Sequence, residues 1–398
     1  MISLQQFFPL LGGVQHYAWG SLAHPHKLPY IARLLHQPDL NEPWAELWLG
    51  THPKLCSEII LPDGKKKTLQ EFIDQNPLEI LGGKKNTQKT QTLPFLLKIL
   101  SCEKPLSIQC HPDLKTAALL HTEDPENYPD SNHKPETIIA LTTFKAMAGF
   151  REFSEILKDL KRHPACSCWL EKVSNPQTLQ SLCEALFQLT QEEINSILTG
   201  ITADPMISKA DQLFQYLLPF YPKDRGTLFA FLLQYITLEP GESLFIKANQ
   251  PHAYIKGTGI ECMANSDNVI RAGLTPKKID VKNLLKTADF NSQDALQKSS
   301  GIHPTNSNNH LYLPPIAEYR VTTITQSSFD LSQREKENEP AFPGILLILE
   351  GSFTLQLPNQ PAVKAKTGSA WFRPAALKQG IIIPETKESF AVWAEPNF

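Results

Sequence analysis

The short segment LSIQCHPD (106–113) places an amide, a thiol and an imidazole side by side, and each of these groups can bind a metal ion. The three residues are Gln109, Cys110 and His111. The segment has the pattern of a β-strand, in which successive side chains point to opposite faces. One face would carry Ser107, Gln109 and His111, and the other Leu106, Ile108 and Cys110. We predict that Gln109 and His111 face a polar site, whereas Cys110 packs into a core as a small hydrophobe.

Two distant segments supply further polar groups that could complete a metal site. SNHKPE contributes His133, Lys134 and Glu136, and NQPHAYIKGTGIE contributes His252 and Glu261. A mixed set of nitrogen and oxygen ligands suits Zn²⁺ with one position left open for substrate or water. Such a set would be Gln109, His111, Glu136 and His252. Because these residues are far apart in the sequence, their spacing does not decide between a metal site and buried, hydrogen-bonded polar residues.

A second concentration of charged and amide side chains lies in GIECMANSDNVIRAGLTPKKID (259–280). Arg271 offers a bidentate fork and Lys277 a point charge, a combination that suits an anionic group such as phosphate. Glu261 and Asp267 could serve as a general acid or base. The alternative is a solvated charged loop in which Asn and Asp side chains cap the backbone. The sequence has no Walker loop and no G-x-G-x-x-G motif, so it does not favour nucleotide chemistry.

The segments around these residues are predicted to be strands of a β-barrel. LPFLLKIL (93–100) is a continuous apolar run with Lys98 inside it, which is typical of a buried strand. SEIILPDGKKKTL (57–69) reads as two strands joined by a turn at Asp63-Gly64. LEPGESLFIKANQPHAYI (238–255) alternates strand and turn in the manner of a jelly roll.

Residues 151–236 have a helical pattern instead. Four leucines recur on one helical face, namely Leu179, Leu182, Leu186 and Leu189. Thr190 and Glu193 predict a capping box at the start of the next helix. DQLFQYLLPF (211–220) and GTLFAFLLQYI (226–236) are expected to be two further apolar helices. Beyond the polar linker HPTNSNNH (303–310), alternating apolar residues predict a second β domain, which has no histidine after His310 and is a poor candidate for a metal site.

Composition and charge narrow the class of protein. The chain has 398 residues, which suggests two or three domains, and 41% of its residues are hydrophobic, as in a soluble globular protein. The net charge is −3 and the basic residues are scattered, so nucleic acid is not an expected partner. No apolar stretch is long enough to span a membrane. The 7 cysteines form no regular framework and no signal peptide is apparent, so we expect a reducing cytoplasm.

Five segments, in this order along the chain, resemble the type I phosphomannose isomerases, which are zinc enzymes of the cupin group. These segments are QHYAWGS (15–21), PWAELWLGTHP (43–53), LLKILSCEKPLSIQCHPD (96–113), NHKPE (132–136) and PHAYIKGTGIECMANSDNVIRAGLTPKKID (251–280). The resemblance covers most of residues 1–290 and is looser beyond. It departs from the family pattern at Gly12-Gly13, where an Asn and a cationic residue are frequent.

The resemblance implies a fold class that is mainly β with a helical insertion. It would comprise two cupin-like jelly-roll β-barrel domains plus an α-helical domain. The catalytic cupin-like domain would be discontinuous, formed by residues 1–150 and 237–300. Residues 151–236 would be the helical domain and residues 311–398 the C-terminal cupin-like domain.

The resemblance also implies an activity and a role for each candidate residue. The reaction would interconvert D-mannose 6-phosphate and D-fructose 6-phosphate through a cis-enediol, with one Zn²⁺ per chain. The implied zinc ligands are Gln109, His111, Glu136 and His252. The implied catalytic residues are Arg271, Glu261, His133, Lys134 and Asp267, and those that bind substrate are Trp19, Ser107, Tyr254 and Lys277. Either Glu261 or His133 could be the base that shuttles the proton.

The expected partner is a small sugar phosphate, with no nucleic acid or membrane, and we expect a monomer. Two other functions remain open at this stage. A cupin dioxygenase would hold iron with several histidines, for which Gln109 would be an uncommon ligand. A non-catalytic sugar-phosphate sensor of the same fold would be expected to lack one of the charged site residues.

Overall fold

The structure of the chain is a computed structural model. It describes residues 3–24, 27–37, 41–82, 91–175, 177–202, 204, 206–291, 298–302, 308–334 and 341–397. The predicted linker 303–310 lies largely outside these residues. Within them the chain is mainly β, and most of the helices lie between residues 153 and 232. No helix of the described chain is long and apolar enough to cross a membrane.

The strands fall into three hydrogen-bonded sheets. In chain order they are β1 (Phe8–Leu11), β2 (Gly13–Gln15), β3 (Glu46–Leu49), β4 (Glu58–Ile60), β5 (Lys66–Thr68), β6 (Phe95–Cys102), β7 (Ile108–Cys110), β8 (Glu136–Ala140), β9 (Phe144–Phe150), β10 (Leu233–Leu238), β11 (Ser243–Ile246), β12 (His252–Ala264), β13 (Ile270–Gly273), β14 (Lys298–Ser299), β15 (His310–Tyr312), β16 (Arg320–Ile324), β17 (Phe329–Asp330), β18 (Gly344–Glu350), β19 (Ser352–Gln356), β20 (Val363–Lys366), β21 (Ala370–Arg373), β22 (Ile381–Pro384) and β23 (Phe390–Glu395).

The helices are short. They are α1 (Tyr30–Leu34), α2 (Leu69–Gln75), α3 (Pro77–Leu81), α4 (Leu114–Glu123), α5 (Phe153–Arg162), α6 (Ser167–Glu171), α7 (Leu179–Gln188), α8 (Gln191–Gly200), α9 (Lys209–Leu217), α10 (Phe229–Leu232) and α11 (Val281–Thr287). Single 3₁₀ turns cover Pro164–Cys166, Arg225–Leu228 and Leu331–Arg334.

The large sheet carries the candidate site on one of its faces. Its continuous order is β14-β11-β8-β12-β6-β3-β2, and β7, β9, β10 and β13 join it beside the first half of β12. Alternation along β6 sends Leu97 and Ile99 into one hydrophobic core and Lys98 and Leu100 to the opposite face. The apolar run predicted to be a buried strand is therefore a strand, with Lys98 on the site face.

The other face of the large sheet packs against a second sheet, which we call the shared sheet. Its order is β15-β16-β23-β18-β21-β1-β4-β5, so it combines strands from both ends of the chain. Phe8 of β1 lies opposite Phe372 of β21. The predicted hairpin at Asp63-Gly64 joins β4 to β5, and Gly64 has the positive φ of 80° that such a turn favours. A small sheet, β17-β22-β19-β20, covers the far face of the C-terminal strands.

In the helical region, the predicted start of the helix α8 is confirmed, but the last predicted helix is not. The four leucines at 179, 182, 186 and 189 are all buried in one core. Thr190 accepts a hydrogen bond from the backbone of Glu193, and the Glu193 carboxylate bonds back, which confirms the capping box. The prediction of one helix over 226–236 is wrong. The segment is a 3₁₀ turn, then α10, and from Leu233 onward it is β10, which pairs with β9.

Candidate metal centre and substrate pocket

Three strands place their functional side chains in one row. His252, the first residue of β12, pairs directly with Gln109 of β7, and Gln109 pairs in turn with Arg271 of β13. Directly opposed residues of antiparallel strands project from the same face. The strand register therefore puts an imidazole, an amide and a guanidinium beside one another, although Arg271 follows Gln109 by 162 positions in the sequence.

Glu136 joins two of the predicted ligands from the side. Its Oε1 lies 3.3 Å from Nε2 of His111, and its Oε2 lies 3.3 Å from Nε2 of His252. The three possible ligand atoms lie within 4.8 Å of one another, and all three residues are buried. Glu136 reaches this position as the first residue of β8, which pairs with Met263 of β12. Three of the four predicted ligands thus converge, and the fourth, Gln109, lines the same pocket.

Backbone carbonyls determine which ring nitrogen of each histidine faces the centre. Nδ1 of His111 lies 2.7 Å from the carbonyl oxygen of Asn268, and Nδ1 of His252 lies 2.9 Å from that of Gln250. A carbonyl can only accept, so each Nδ1 donates and each neutral ring keeps a lone pair on Nε2. Nε2 of His111 is buried and makes no hydrogen bond in the described structure.

When both rings are neutral, two lone pairs and a carboxylate face one another without a proton between them. That arrangement fits a bound divalent cation better than it fits a hydrogen-bonded core. The nitrogen and oxygen ligands are those that Zn²⁺ takes in catalytic sites.

Charge and burial around the centre keep His111 and Glu136 in their metal-binding forms. Burial, followed by the nearby Lys134 ammonium, lowers the pKa of His111 to about 4, so its ring is neutral at pH 7. Burial alone would raise the pKa of Glu136. The Lys134 ammonium, 3.2 Å from Oε1, opposes burial and is the largest of the influences that hold that pKa well below its usual range.

A pocket opens directly beside the three ligands. The residues that line it are Glu46, Lys98, Leu100, Leu106, Ser107, Gln109, Lys134, Glu136, His252, Ala253, Tyr254 and Glu261. Seven of these were predicted from the sequence as site residues. Leu106 is a correction, because alternation predicted it to point away from Gln109. The strand β7 begins only at Ile108, so alternation does not extend to Leu106, which faces the pocket.

A buried ion cluster in the pocket wall was missed by the sequence reasoning. Nζ of Lys98 lies 2.8 Å from Oε2 of Glu261 and 3.5 Å from Oε1 of Glu46. The ammonium also lies 5.0 Å from the Trp48 ring centroid, and Trp48 donates a hydrogen bond to Glu46. The available signal was Lys98 itself, because a lysine inside a buried strand requires an anionic partner.

The charge environment separates the two carboxylates of the pocket, Glu136 and Glu261. Burial raises the pKa of Glu261, Lys98 opposes the rise, and the carboxylates of Glu136 and Glu46 add to it. Tyr254, whose hydroxyl lies 3.4 Å from Oε2 of Glu136, has its pKa raised well above the usual value by burial and by Glu261. Glu136 is thus held as an anion, while Glu261 has a higher affinity for a proton than an ordinary glutamate.

Apart from the ligand His111, five predicted site residues lie outside the pocket wall. Nε2 of His133 is 2.6 Å from Oε1 of Glu318. Trp19 stacks on Tyr17 with ring centroids 5.6 Å apart, and it packs against the apolar interior of the large sheet. The Lys277 side chain is exposed, on the segment that follows β13.

The other two, Asp267 and Arg271, are electrostatically linked. Asp267 pairs with the Lys54 ammonium, which lowers the pKa of Asp267 against the effect of its burial. Arg271 is half-buried, and among the described residues no hydrogen bond or ion pair engages its guanidinium. Burial lowers the pKa of Arg271, and Asp267 opposes that shift. A half-buried guanidinium with unfilled donors is suited to an anionic ligand.

The chain is similar to known proteins over nearly its whole length. Residues 7–153 match the family described as phosphomannose isomerase type I, catalytic domain. The chain is 35% identical to mannose-6-phosphate isomerase of Bos taurus, over 93% of this chain and 94% of that protein. It is 33% identical to the Candida albicans enzyme of the same name, over 93% of each.

Solved structures agree with these matches. Mannose 6-phosphate isomerase from Salmonella typhimurium, bound to substrate and zinc, superposes with a TM-score of 0.83 at 28% identity, covering 98% of this chain and 100% of that one. A zinc-bound holo mannose 6-phosphate isomerase gives the same TM-score, identity and coverage.

Proposed function

This chain belongs to the type I phosphomannose isomerase family, and from that premise we propose that it interconverts D-mannose 6-phosphate and D-fructose 6-phosphate using one Zn²⁺ per chain. The relatives named above, at 33% to 35% identity over 93% of the chain, are mannose-6-phosphate isomerases. The observation that carries the proposal is the convergence of His111, Glu136 and His252 beside a pocket lined by buried charged groups.

We propose that Gln109, His111, Glu136 and His252 hold the zinc ion. The geometry described above supports His111, Glu136 and His252 directly, and Gln109 is supported by its place beside His252 in the strand register. When bound, zinc supplies positive charge that polarises the sugar oxygens next to the reacting carbons.

The proposed reaction moves two protons and passes through a cis-enediol. In the open-chain sugar one proton passes from C2 to C1, and another passes from the hydroxyl on C2 to the carbonyl oxygen on C1. Glu261 is the proposed base for the carbon-bound proton, because it lines the pocket and burial raises its pKa. His133 is a weaker candidate, because its Nε2 is engaged by Glu318 away from the pocket wall.

Cationic residues are proposed to bind the negative charges of substrate and intermediate. Arg271 lies in the same row as Gln109 and has free donors among the described residues, so it is assigned to the charge of the enediolate. Lys277 is assigned to the phosphate, and Asp267 to orienting the cations. Lys134 lines the pocket and is assigned to proton transfer between sugar oxygens. The remaining substrate contacts are assigned to Trp19, Ser107 and Tyr254.

The domain organisation belongs to the same proposal. A catalytic cupin-like jelly roll would be formed by residues 1–150 and 237–300, a helical domain by 151–236 and a second cupin-like domain by 311–398. Support comes from the concentration of helices between residues 153 and 232 and from the sandwich that the C-terminal strands form. We further propose a cytoplasmic monomer that binds a small sugar phosphate and no nucleic acid.

A coupled assay of fructose 6-phosphate formation, with and without chelator, tests the activity. We expect turnover that a chelator abolishes and added zinc restores. Turnover that resists the chelator would refute the zinc assignment. No turnover with zinc supplied would favour a sugar-phosphate sensor, and metal analysis that found iron would favour a cupin dioxygenase.

The variant Arg271→Ala tests the assignment of enediolate charge. We expect kcat/KM for mannose 6-phosphate to fall by more than about tenfold, which corresponds to roughly 1.4 kcal/mol of transition-state stabilisation. A smaller fall would contradict the assignment.

A further inference from the structure

We propose that Asp130 is a positioning residue of the metal centre, acting on His111 through the loop 266–268. The inference rests on the proposed zinc site and adds to it a residue that touches neither metal nor substrate. Asp130 lies in the segment between α4 and β8, which also carries His133 and leads directly into Glu136, the first residue of β8.

Asp130 accepts every hydrogen bond that joins it to this loop. Its Oδ1 accepts from the Ser266 hydroxyl at 2.8 Å and from Nδ2 of Asn268 at 3.1 Å. Its Oδ2 accepts from the backbone N–H of Asp267 at 2.8 Å, and its carbonyl accepts from Nδ2 of Asn268 at 2.6 Å. Hydrogen bonds to an ionised acceptor are stronger than neutral ones, so one carboxylate fixes three consecutive residues.

Among the described contacts, one hydrogen bond joins this loop to the predicted ligand His111. Asn268 is fully buried, and its backbone carbonyl is the acceptor that holds Nδ1–H of His111 at 2.7 Å. That bond aims Nε2 of His111 at Glu136. If the loop moved, His111 could lose its acceptor and turn, because the ring makes no other hydrogen bond in the described structure.

Groups that fix the orientation of a metal-binding histidine affect the affinity for the metal. A group that orients a metal-bound histidine typically changes metal affinity by about 10- to 100-fold when it is removed. The change Asp130→Asn keeps the shape of the side chain but removes its charge. It also replaces one carboxylate oxygen with an amide N–H₂, which can donate but not accept. In the place of Oδ2, this group would face the backbone N–H of Asp267, which can only donate as well.

Asp124 provides a matched control in the same segment. Its carboxylate also accepts from a backbone N–H and a side-chain amide, both of Asn127, at 2.8–3.3 Å. Asp124 contacts no residue of the loop 266–268 among the described contacts. A loss that reflected general destabilisation of this segment would therefore appear in Asp124→Asn as well.

The experiment measures zinc affinity of the full chain by competition with a chromophoric chelator, for wild type, Asp130→Asn and Asp124→Asn. We expect zinc to bind about 10- to 100-fold more weakly to Asp130→Asn and within about threefold of wild type to Asp124→Asn. Thermal unfolding of each metal-free variant shows whether it is folded. Excess zinc should restore part of the isomerase activity of Asp130→Asn.

A milder variant keeps the test decisive if Asp130→Asn does not fold. Ser266→Ala leaves the charge of Asp130 in place but removes one donor to it and to the Asn132 carbonyl, and it removes the acceptor of the Asn268 N–H, so zinc affinity should fall by at least about threefold. Unchanged zinc affinity in whichever of these variants folds would overturn the inference, as would an equal loss in Asp124→Asn. Failure of wild type to bind zinc would instead refute the metal centre itself.

Discussion

The two imidazoles of the metal centre are aimed by acceptors of different origin. His252 bonds to the carbonyl of Gln250, two residues before it, so its orientation is set within one turn of the chain. His111 bonds to the carbonyl of Asn268, 157 residues away. The orientation of the His252 ring is therefore determined locally, whereas the orientation of the His111 ring depends on the assembled fold.

Cys110 and His111 are adjacent but should differ completely in their effect on zinc. Cys110 is fully buried in the apolar core on the helical side, and His111 faces Glu136. We expect Cys110→Ser to retain zinc while losing about 1–3 kcal/mol of stability, because a hydroxyl is buried without an assured partner. We expect His111→Ala to lose zinc. Metal analysis after dialysis and urea unfolding measure the two effects, and loss of zinc from folded Cys110→Ser would contradict the assignment of faces.

Lys98 is expected to be essential for stability because it separates two buried carboxylates. The change Lys98→Met would leave Glu46 and Glu261 buried without their cation, which typically costs about 3–5 kcal/mol. Urea unfolding at pH 7 measures this loss. The exposed pair of Lys66 and Glu58 supplies the control, since Lys66→Met should change stability by less than about 1 kcal/mol. Similar losses in the two variants would show that burial does not matter here.

These residues show how far local patterns reach. Alternation was enough to separate Cys110 from Gln109, because both lie inside β7. It failed for Leu106, which precedes that strand. The partners of Lys98 were not predictable, because the pairing of Lys98 with Glu261 joins β6 to β12, 163 residues later, and no local pattern encodes that register.

In the helical region, too, local interactions were predictable and distant strand pairing was not. Thr190 and Glu193 predicted a helix start correctly, because a capping box is a local interaction. The run FAFLLQYI (229–236) has no clear period, and such a run can be a buried helix or a buried strand. Pairing with β9 decides the outcome from Leu233 onward, and that partner lies more than 80 residues earlier.

An ion network around two buried carboxylates joins α5 to α9 and should make stability depend on pH. The Asp159 carboxylate bonds to Arg151 at 2.8 Å and to Arg162 at 2.5 Å, and Arg162 also pairs with Asp211 of α9. Burial would raise the pKa of Asp159, but the two guanidinium groups outweigh burial and lower that pKa below its ordinary value. The contribution of Asp159 is therefore fully present above its unfolded pKa, and it is lost as pH falls through the lower folded pKa.

The change Asp159→Asn tests this dependence. We expect the variant to unfold at a lower urea concentration than wild type at pH 7, because Arg151 and Arg162 lose their shared anion. The difference in free energy of unfolding should stay constant down to about pH 4 and narrow below it. A difference that widened in acid would contradict a lowered pKa. Asp63→Asn, at an exposed turn, serves as the control and should show little change.

The shared sheet joins strands from the two ends of the chain by hydrogen-bonded pairing. The strand β1, near the N-terminus, inserts between β21 of the C-terminal segment and β4. The C-terminal segment also reaches the site region, where Glu318 bonds His133 and the Tyr319 hydroxyl bonds Thr137. Sequence patterns indicated strands at both ends but not this pairing, because residues more than 350 positions apart leave no local signal of their register.

This continuity predicts that the C-terminal strands and the metal centre unfold together. Phe372 of β21 is fully buried, opposes Phe8 and meets the Phe72 ring edge-on at 6.4 Å. Phe372→Ala should cost about 3–5 kcal/mol. Zinc release and tryptophan fluorescence should shift to lower urea concentration by the same amount, because Trp371 and Trp393, two of the 6 tryptophans, report on the C-terminal core and zinc reports on the large sheet.

Val363→Ala, on a half-exposed position of the outer strand β20, is the control and should leave both transitions within about 0.5 kcal/mol of wild type. If Phe372→Ala shifted the fluorescence transition but left zinc release unchanged, the two ends of the shared sheet would be energetically independent. Coincident shifts would mean that the C-terminal strands stabilise the metal centre although, among the described residues, none of their side chains line its pocket.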